Sequence, residues 1–422
     1  MIERYSNKEI KALFNEKSRF IIQTKIEYYI LKYLTPESMH NDLYDAFQNI
    51  DYNKLIEDIK EREKVTKHET VALVNSIIKH IPEKFHSYIH KGVTSSDILD
   101  TCLNLQIIES HEILSKKINN LLEKLKELAI NNKGVKIIGR SHGVRGEITS
   151  LGLIFLGYYA EWERNKKRLE SVIKEIKVCK MSGAMGNYVH VDPGLEEYIS
   201  NIFSLKQEKV STQVIPRDRY ANYISTLSLL GGSIERISTY IRLSSQSGIN
   251  ELQEGFSNNQ TGSSAMPHKK NPILSENLSG LSRIIKSYSN TSINNIALWY
   301  ERDMTHSSVE RIILPDLFHL LTFSIERLCK ILNNIFINYE KINYNLNVND
   351  DYLSQTILIK LMEKGSSREE AYELVQKLSF ENVPLESYLY KLNIFDYEEI
   401  LEILNKEKYI KNEEYIFKKF NF

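Results

Sequence analysis

The sequence predicts an all-α protein in which two smaller helical domains flank a central bundle of long helices. Three observations lead there. Helix breakers are sparse: 8 Pro and 17 Gly in 422 residues are about 2% and 4%, against usual frequencies of roughly 5% and 7%. Five segments in the middle of the chain carry apolar residues at helical spacing. The remaining breakers collect in a few short stretches. Scarce Ala with abundant Lys, Asn and Ile is a composition that AT-rich coding gives any fold, so the periodicity carries more of the prediction than the breaker count.

Taken in order, the first 90 or so residues read as shorter helices interrupted near Thr35-Pro36 and Ile81-Pro82. Over residues 97–128, Ile98, Cys102, Leu105, Ile108, Leu114, Ile118, Leu121, Leu125 and Leu128 form one amphipathic face. Thr94, Ser95, Ser96 and Asp97 precede it and suit the capping of its free N–H groups. Similar stripes run over 151–178, 223–243, 273–288 and 312–336. Helices of this length exceed the usual mean of about 11 to 12 residues, and wide apolar stripes need partners on more than one side. A bundle, within one chain or shared between subunits, buries them. Beyond Asn343 shorter patterns resume, with Pro384 interrupting. The expected domains are therefore 1–93, 94–342 and 343–422.

Fifty-five basic and 55 acidic residues cancel, so no global field draws in nucleic acid or a membrane surface, and an anionic ligand needs a local cluster. Cys102, Cys179 and Cys329 have no metal-ligand spacing and leave an odd thiol, which fits a reducing, cytoplasmic setting. The Met-Ile-Glu-Arg-Tyr start lacks a signal-peptide stretch and no 18 apolar residues run together. A phosphate-binding Walker loop and G-x-G-x-x-G are both missing, and His68-Glu69 is not followed by the second His of a zinc-protease helix. Ser141-His142 are sequence neighbours without a G-x-S-x-G elbow. No metal and no cofactor are expected.

Four segments resist the helical reading: 89–97; 138–146, where three Gly surround His142 between Arg140 and Arg145; 180–186; and 255–272. The last, G-F-S-N-N-Q-T-G-S-S-A-M-P-H-K-K-N-P, reads as a polar loop stiffened by Pro267, with Pro272 opening the next helix. Lys269, Lys270 and Asn271 then lie at a helix N-terminus, where cations and free N–H donors favour an anion. A lid over a carboxylate or phosphate and a solvated loop with incidental lysines are both open on this segment alone.

The stretch G-S-S-A-M-P-H-K-K-N-P from Gly262 to Pro272 resembles the fumarase/aspartase superfamily, whose members release fumarate from succinyl-containing substrates. Its Ala-Met-Pro-His-Lys form is similar to the adenylosuccinate lyase branch, although carboxymuconate-cycloisomerase relatives share the His. Arg4-Tyr5, Thr66-Lys67-His68-Glu69, Gln213 before Pro216-Arg217-Asp218, and W-Y-E-R-D-M-T-H-S-S-V-E-R from Trp299 to Arg311 resemble that branch too. The likeness runs in order along nearly the whole chain and weakens after Asn343. The family usually has Arg-His-Asp in place of Lys67-His68-Glu69, an aromatic in place of Lys91, and often Thr in place of Ser141.

The resemblance implies a β-elimination in which Ser263 is the base and His142 the acid. Lys269 and the helix opening near Pro272 would bias the site towards an alkoxide, with Lys270 in support. Arg140 and Arg145 would lower the His142 pKa if they faced it, and Glu276 would offset them. The succinyl carboxylates would meet Thr94, Ser95, Ser264, Lys269 and Asn271, where the bare sequence offers helix capping as the other reading of Thr94 and Ser95. A nucleotide phosphate would meet Arg4, Tyr5, Arg302, Ser307 and Arg311, since guanidinium forks and hydroxyls suit it. Lys67, His68, Glu69 and Gln213 would address the purine ring or assist the leaving group, and His90 either joins them or is a structural hydrogen-bonder. The superfamily implies a homotetramer whose sites draw on three subunits, with the central bundle shared among them. Other readings are a relative acting on a non-nucleotide succinyl or carboxymuconate substrate, and a crystallin-like scaffold without turnover.

Overall fold

The computed structural model describes residues 1–256, 261–381 and 384–420. Helices α1 (Lys8–Phe14) and α2 (Glu16–Leu34) begin at Asn7 and Asn15, whose side chains accept first-turn N–H groups. Helices α3 (His40–Gln48), α4 (Tyr52–Thr66) and α5 (Glu69–His80) follow. Thr35 and Ile81, each before a proline, adopt extended backbone and end α2 and α5 as the sequence predicts.

All five long helices are present: α6 (Ser95–Asn131), α7 (Leu151–Ile176), then after the shorter α8 (Pro193–Phe203), α9 (Asp218–Ser244), α10 (Ile273–Asn294) and α11 (Thr305–Asn333). The last begins seven residues before its predicted stripe, because its first two turns are polar and Asp303 caps them, its carboxylate accepting Thr305 N–H at 2.7 Å. Helices α12 (Tyr339–Asn347), α13 (Ser354–Glu363), α14 (Arg368–Phe380), α15 (Leu385–Lys391), α16 (Tyr397–Leu404) and α17 (Glu413–Phe417) complete the chain, with Pro384 separating α14 from α15.

One departure from an all-helical chain matters for the site. The segment around His142 is an antiparallel hairpin of β1 (Lys136–Ser141) and β2 (Val144–Ser150), with Ser141 opposite Val144. The two linking residues, His142 at φ 55° and Gly143 at φ 78°, are both left-handed, as the turn that matches strand twist demands. Two further pairs are two residues per strand: β3 (Val178–Cys179) with β4 (Lys206–Gln207), and β5 (Leu252–Gln253) with β6 (Phe336–Ile337).

The chain divides into two units, one of Met1–Ile118, Arg164–Ile234 and Gly280–Glu326, the other of Asn119–Glu163, Glu235–Ser279 and Arg327–Phe422. Their limits in sequence fall inside α6, α7, α9, α10 and α11. In the first unit Phe20, Leu55, Leu73 and Phe85 centre one core, and Ile30, Ile98, Met181 and Ile199 another. Its long-helix segments interlock through buried polar contacts, Tyr220 Oη donating to Asn104 at 2.8 Å and Ser228 Oγ to the Ile285 carbonyl at 3.1 Å. In the second unit Ile138 and Ile148 of the hairpin pack with Leu353, Ile357, Leu389 and Ile403. Among the described residues no helix is long and apolar enough to cross a membrane.

Candidate active site

In the first unit the loop before α6 is shaped by strain. His90 is left-handed at φ 53° and Gly92 at φ 81°. A Cβ on Gly92 would lie 2.1 Å from the His190 carbonyl oxygen, so only glycine fits. Within this stretch the Asp97 carboxylate, inside the first turn of α6, reaches back to accept Thr94 N–H at 2.7 Å and pairs with Lys180. Asp97 and Lys180 are both completely buried. Burial pushes the Asp97 carboxyl up, and the Lys180 ammonium pulls it only part of the way back.

Thr94 and Ser95 line a cavity of about 360 Å³ together with His68, Asn75 and His90. His68 is the N-cap of α5, its Nδ1 accepting Val71 N–H at 3.3 Å. Lys67, left-handed at φ 52°, ends α4 and is exposed, so the Lys67-His68-Glu69 run forms the corner between two helices.

Arg302 joins residues from distant parts of the sequence. Its guanidinium donates to Ser95 Oγ at 3.3 Å and to Gln213 Oε1 at 3.0 Å. Gln213 is fixed by a bond to the Ala184 carbonyl at 3.2 Å. Beneath it Arg217 grips Asp100 with bonds of 2.7 and 2.8 Å. Burial opposes that charge on Asp100, but the Arg217 guanidinium outweighs it and holds the carboxyl below its usual range.

Arg302, Ser307 and Arg311 also line a second cavity, of about 210 Å³, with Arg19, Asp100, Arg217, His306 and Glu310. Glu69 sits between two of its cations, pairing with Arg19 and lying 3.8 Å from Arg311. Burial lifts the Glu310 carboxyl to about 7 against the pull of Arg217, and burial with Arg217 drives the His306 imidazole down to about 4. Arg4 and Tyr5 do not line this cavity. They lie on a short turn laid along α11, where the Met1 ammonium meets Asp316 at 3.2 Å, Asn7 N–H donates to His319 at 3.0 Å, and the Tyr5 and Phe323 rings are 5.0 Å apart.

In the second unit His142 stands exposed at the hairpin tip. The sequence left open whether Arg140 and Arg145 face it. Arg140 forms a two-point pair with Glu251 at 2.8 Å, and Arg145 is taken by the Asn345 and Asn349 carbonyls at 2.7 and 3.2 Å. Arg140 and Arg145 face each other one pair below the tip, and both guanidiniums hold that end of the hairpin in place.

Ser263 Oγ accepts Met266 N–H at 3.1 Å, which folds the signature loop back on itself. The neck of the loop is tight: a Cβ on Gly262 would lie 2.0 Å from the Lys269 carbonyl oxygen, and Asn271 Nδ2 donates to the Gly262 carbonyl at 3.1 Å. Asn271, expected on a substrate carboxylate, thus ties the loop. Ser264, Lys269 and Lys270 are exposed, Lys270 with its ammonium 5.6 Å from the Phe256 ring, and Glu276 is exposed in the first turn of α10. Residues 257–260 of the expected lid lie outside the described residues. One expectation needs correcting. The helix N-terminus after Pro272 already holds an anion, since Glu254 accepts N–H groups of Leu274 and Ser275.

Sequence reasoning missed Arg19, Glu27, Lys180, Glu254 and Glu310. A signal existed for Glu27: it follows Gln23 by four residues on a face of α2 that includes Phe20, Ile30 and Leu31, and polar groups in an apolar stripe mark buried partners. His90 Nδ1 lies 2.6 Å from Glu27 Oε1.

Comparison with known proteins shows the family and the fold. A family model described as lyase matches residues 14–286. The adenylosuccinate lyase of Thermotoga maritima is 39% identical over 100% of this chain and 99% of its own length. That of Helicobacter pylori strain 26695 is 40% identical over 89% and 86%. Among solved structures, a fumarate lyase from Mesorhizobium sp. BNC1 superposes with a TM-score of 0.83 over 96% of this chain and 94% of its own, at 18% identity, which speaks to the fold alone.

Proposed function

On the premise that the chain belongs to the lyase family and, within it, to the adenylosuccinate lyases, we propose that it cleaves adenylosuccinate to AMP and fumarate and opens succinylaminoimidazole carboxamide ribotide in the same way. The observation that carries this reading is Arg302, which lies in a cationic cavity with Ser307 and Arg311 and also bonds Ser95 and Gln213. A phosphate and a carboxylated group need adjoining sites of this composition.

The reaction is a β-elimination. Ser263, as alkoxide, takes a proton from the succinyl carbon next to a carboxylate. The electron pair forms the new C=C bond, the C–N bond breaks, and His142 protonates the departing nitrogen. Proton exchange with solvent then restores both groups. Thr94, Ser95, Ser264, Lys269 and Asn271 hold the carboxylates, whose charge rises as the proton leaves. With Glu254 already on the α10 N-terminus, the cation that favours the alkoxide is Lys269, strengthened once water is excluded. Arg4, Tyr5, Arg302, Ser307 and Arg311 take the phosphate, and Lys67, His68, Glu69 and Gln213 the purine side. Glu276 and Lys270 support the acid and the loop.

Three helical domains, 1–93, 94–342 and 343–422, and a cytoplasmic homotetramer with sites shared between subunits complete the reading. Exposed apolar side chains on the long helices support the assembly: Leu229, Ile284, Ile293 and Ile312 are 44–60% accessible and need cover. The three free cysteines suit a reducing compartment.

Incubation with adenylosuccinate, following purine absorbance and fumarate, tests the function. Equal amounts of AMP and fumarate are expected; release of neither refutes it.

A further inference from the structure

Glu27 is a buried acid that the elimination does not use. It lies in the middle of α2 with no exposed surface, among Ile26, Ile30 and Leu31. A lone carboxylate in such surroundings carries a large desolvation cost and persists only with a partner that needs its charge. Its partner is His90, whose Nδ1 lies 2.6 Å from Oε1. The imidazole is 22% accessible and lines the cavity it shares with His68, Thr94 and Ser95.

The loop that carries His90 is held from several sides. His90 itself is left-handed, Gly92 is wedged against the His190 carbonyl, and Asp97 ties Thr94 to Lys180. A strained non-glycine residue persists where its surroundings over-determine it, and here the bond to Glu27 is part of that constraint.

We propose that Glu27 is a positioning residue for His90: it anchors Nδ1–H, so that Nε2–H is presented to the cavity and donates to a substrate carboxylate beside Thr94 and Ser95. The inference rests on the proposed lyase reading, which places a succinyl carboxylate at those hydroxyls. It changes the role of His90 from the purine side or a structural bond to carboxylate binding. Donation from Nε2 while Nδ1–H is committed to Glu27 requires the imidazolium form. Burial works against that form, but the charge and hydrogen bond of Glu27, with a smaller contribution from Asp97, raise the His90 pKa overall. Lys180, paired with Asp97, His68 in the lining of the same cavity, and the adjacent Lys91 are further titratable groups near it.

The test is inhibition by fumarate and by AMP in wild type, Glu27→Gln, His90→Gln and the double variant, with melting temperature recorded for each. Glu27→Gln is expected to raise the fumarate Ki and the adenylosuccinate KM about 10- to 100-fold at pH 8, the range for losing a charge-assisted hydrogen bond. The AMP Ki should move less than about twofold, and lowering the pH to 6 should recover much of the fumarate affinity as His90 is reprotonated. Adding Glu27→Gln to His90→Gln should cost nothing further, since the acid acts through the imidazole.

A wild-type fumarate Ki in His90→Gln would overturn the proposal even if Glu27→Gln failed to fold. So would equal weakening of AMP and fumarate that pH does not relieve, which marks a purely structural role. If wild type bound neither AMP nor fumarate, the lyase reading itself would fall.

Discussion

Gly262→Ala should disable the signature loop while leaving the helical cores intact. Gly262 is not in the left-handed region, so alanine meets no backbone penalty there. The obstacle is contact: the new Cβ would lie 2.0 Å from the Lys269 carbonyl oxygen, and a separation of 3.0 Å, the least that real Cβ atoms show, requires at least 1.0 Å of movement. The opposing atom is backbone, held by Lys269 N–H donating to the Met266 carbonyl at 3.0 Å, so it cannot rotate aside. Displacement must pass into the chain at Ser263, whose Oγ is bonded to Met266 N–H. A shift of ~1 Å at a reacting group costs on the order of 100-fold in rate. The expected outcome is a kcat for fumarate release from adenylosuccinate about 100-fold below wild type, with AMP inhibition and melting temperature close to wild type. A wild-type kcat would show that the loop neck does not set the position of Ser263.

Glu254→Ala removes the carboxylate that caps α10, and should lower stability by about 0.5–2 kcal/mol in chemical denaturation, as loss of an N-cap does; an unchanged midpoint would mean that water replaces it fully. Glu310, lifted to about 7 by burial, binds its proton more tightly folded than unfolded. Stability should therefore fall as pH rises from the ordinary Glu range towards 7 and then level off. Glu310→Gln should flatten that slope in melting curves between pH 5 and 8, and an identical slope in the variant would assign it elsewhere. Arg302→Ala and Arg311→Ala should each weaken AMP inhibition by about 10- to 100-fold while leaving adenosine nearly unaffected. Equal loss for both ligands would take the phosphate away from that cavity.

The fold was legible wherever one period persisted. Stripes of apolar residues three and four apart located all five long helices, because each buries a continuous face. The start of α11 was not, since Thr305, His306, Ser307 and Ser308 present no stripe and its cap lies outside the helix. The β1–β2 hairpin was hidden by Gly139, Gly143 and Gly146, which break strand alternation; His142-Gly143 alone hinted at a turn with two left-handed residues. The site follows the same division. Ser95, Gln213 and Arg302 could be nominated because each sits in a recognisable motif, and the structure joins them. What holds them was illegible. Lys180 and Asp97 are 83 positions apart and Glu27 and His90 are 63, and no local pattern records a pairing formed only when helices pack. Glu254 was missed for a related reason: the motif ends at Pro272, and the anion that occupies the following helix N-terminus lies before the loop begins.

A crystal structure with AMP and fumarate bound tests the assignment of sites most directly. The phosphate should lie within hydrogen-bonding distance of Arg302, Ser307 and Arg311, with fumarate against Thr94 and Ser95 and its reacting carbon facing Ser263. A phosphate bound away from those arginines, or a fumarate that touches neither hydroxyl, would contradict it.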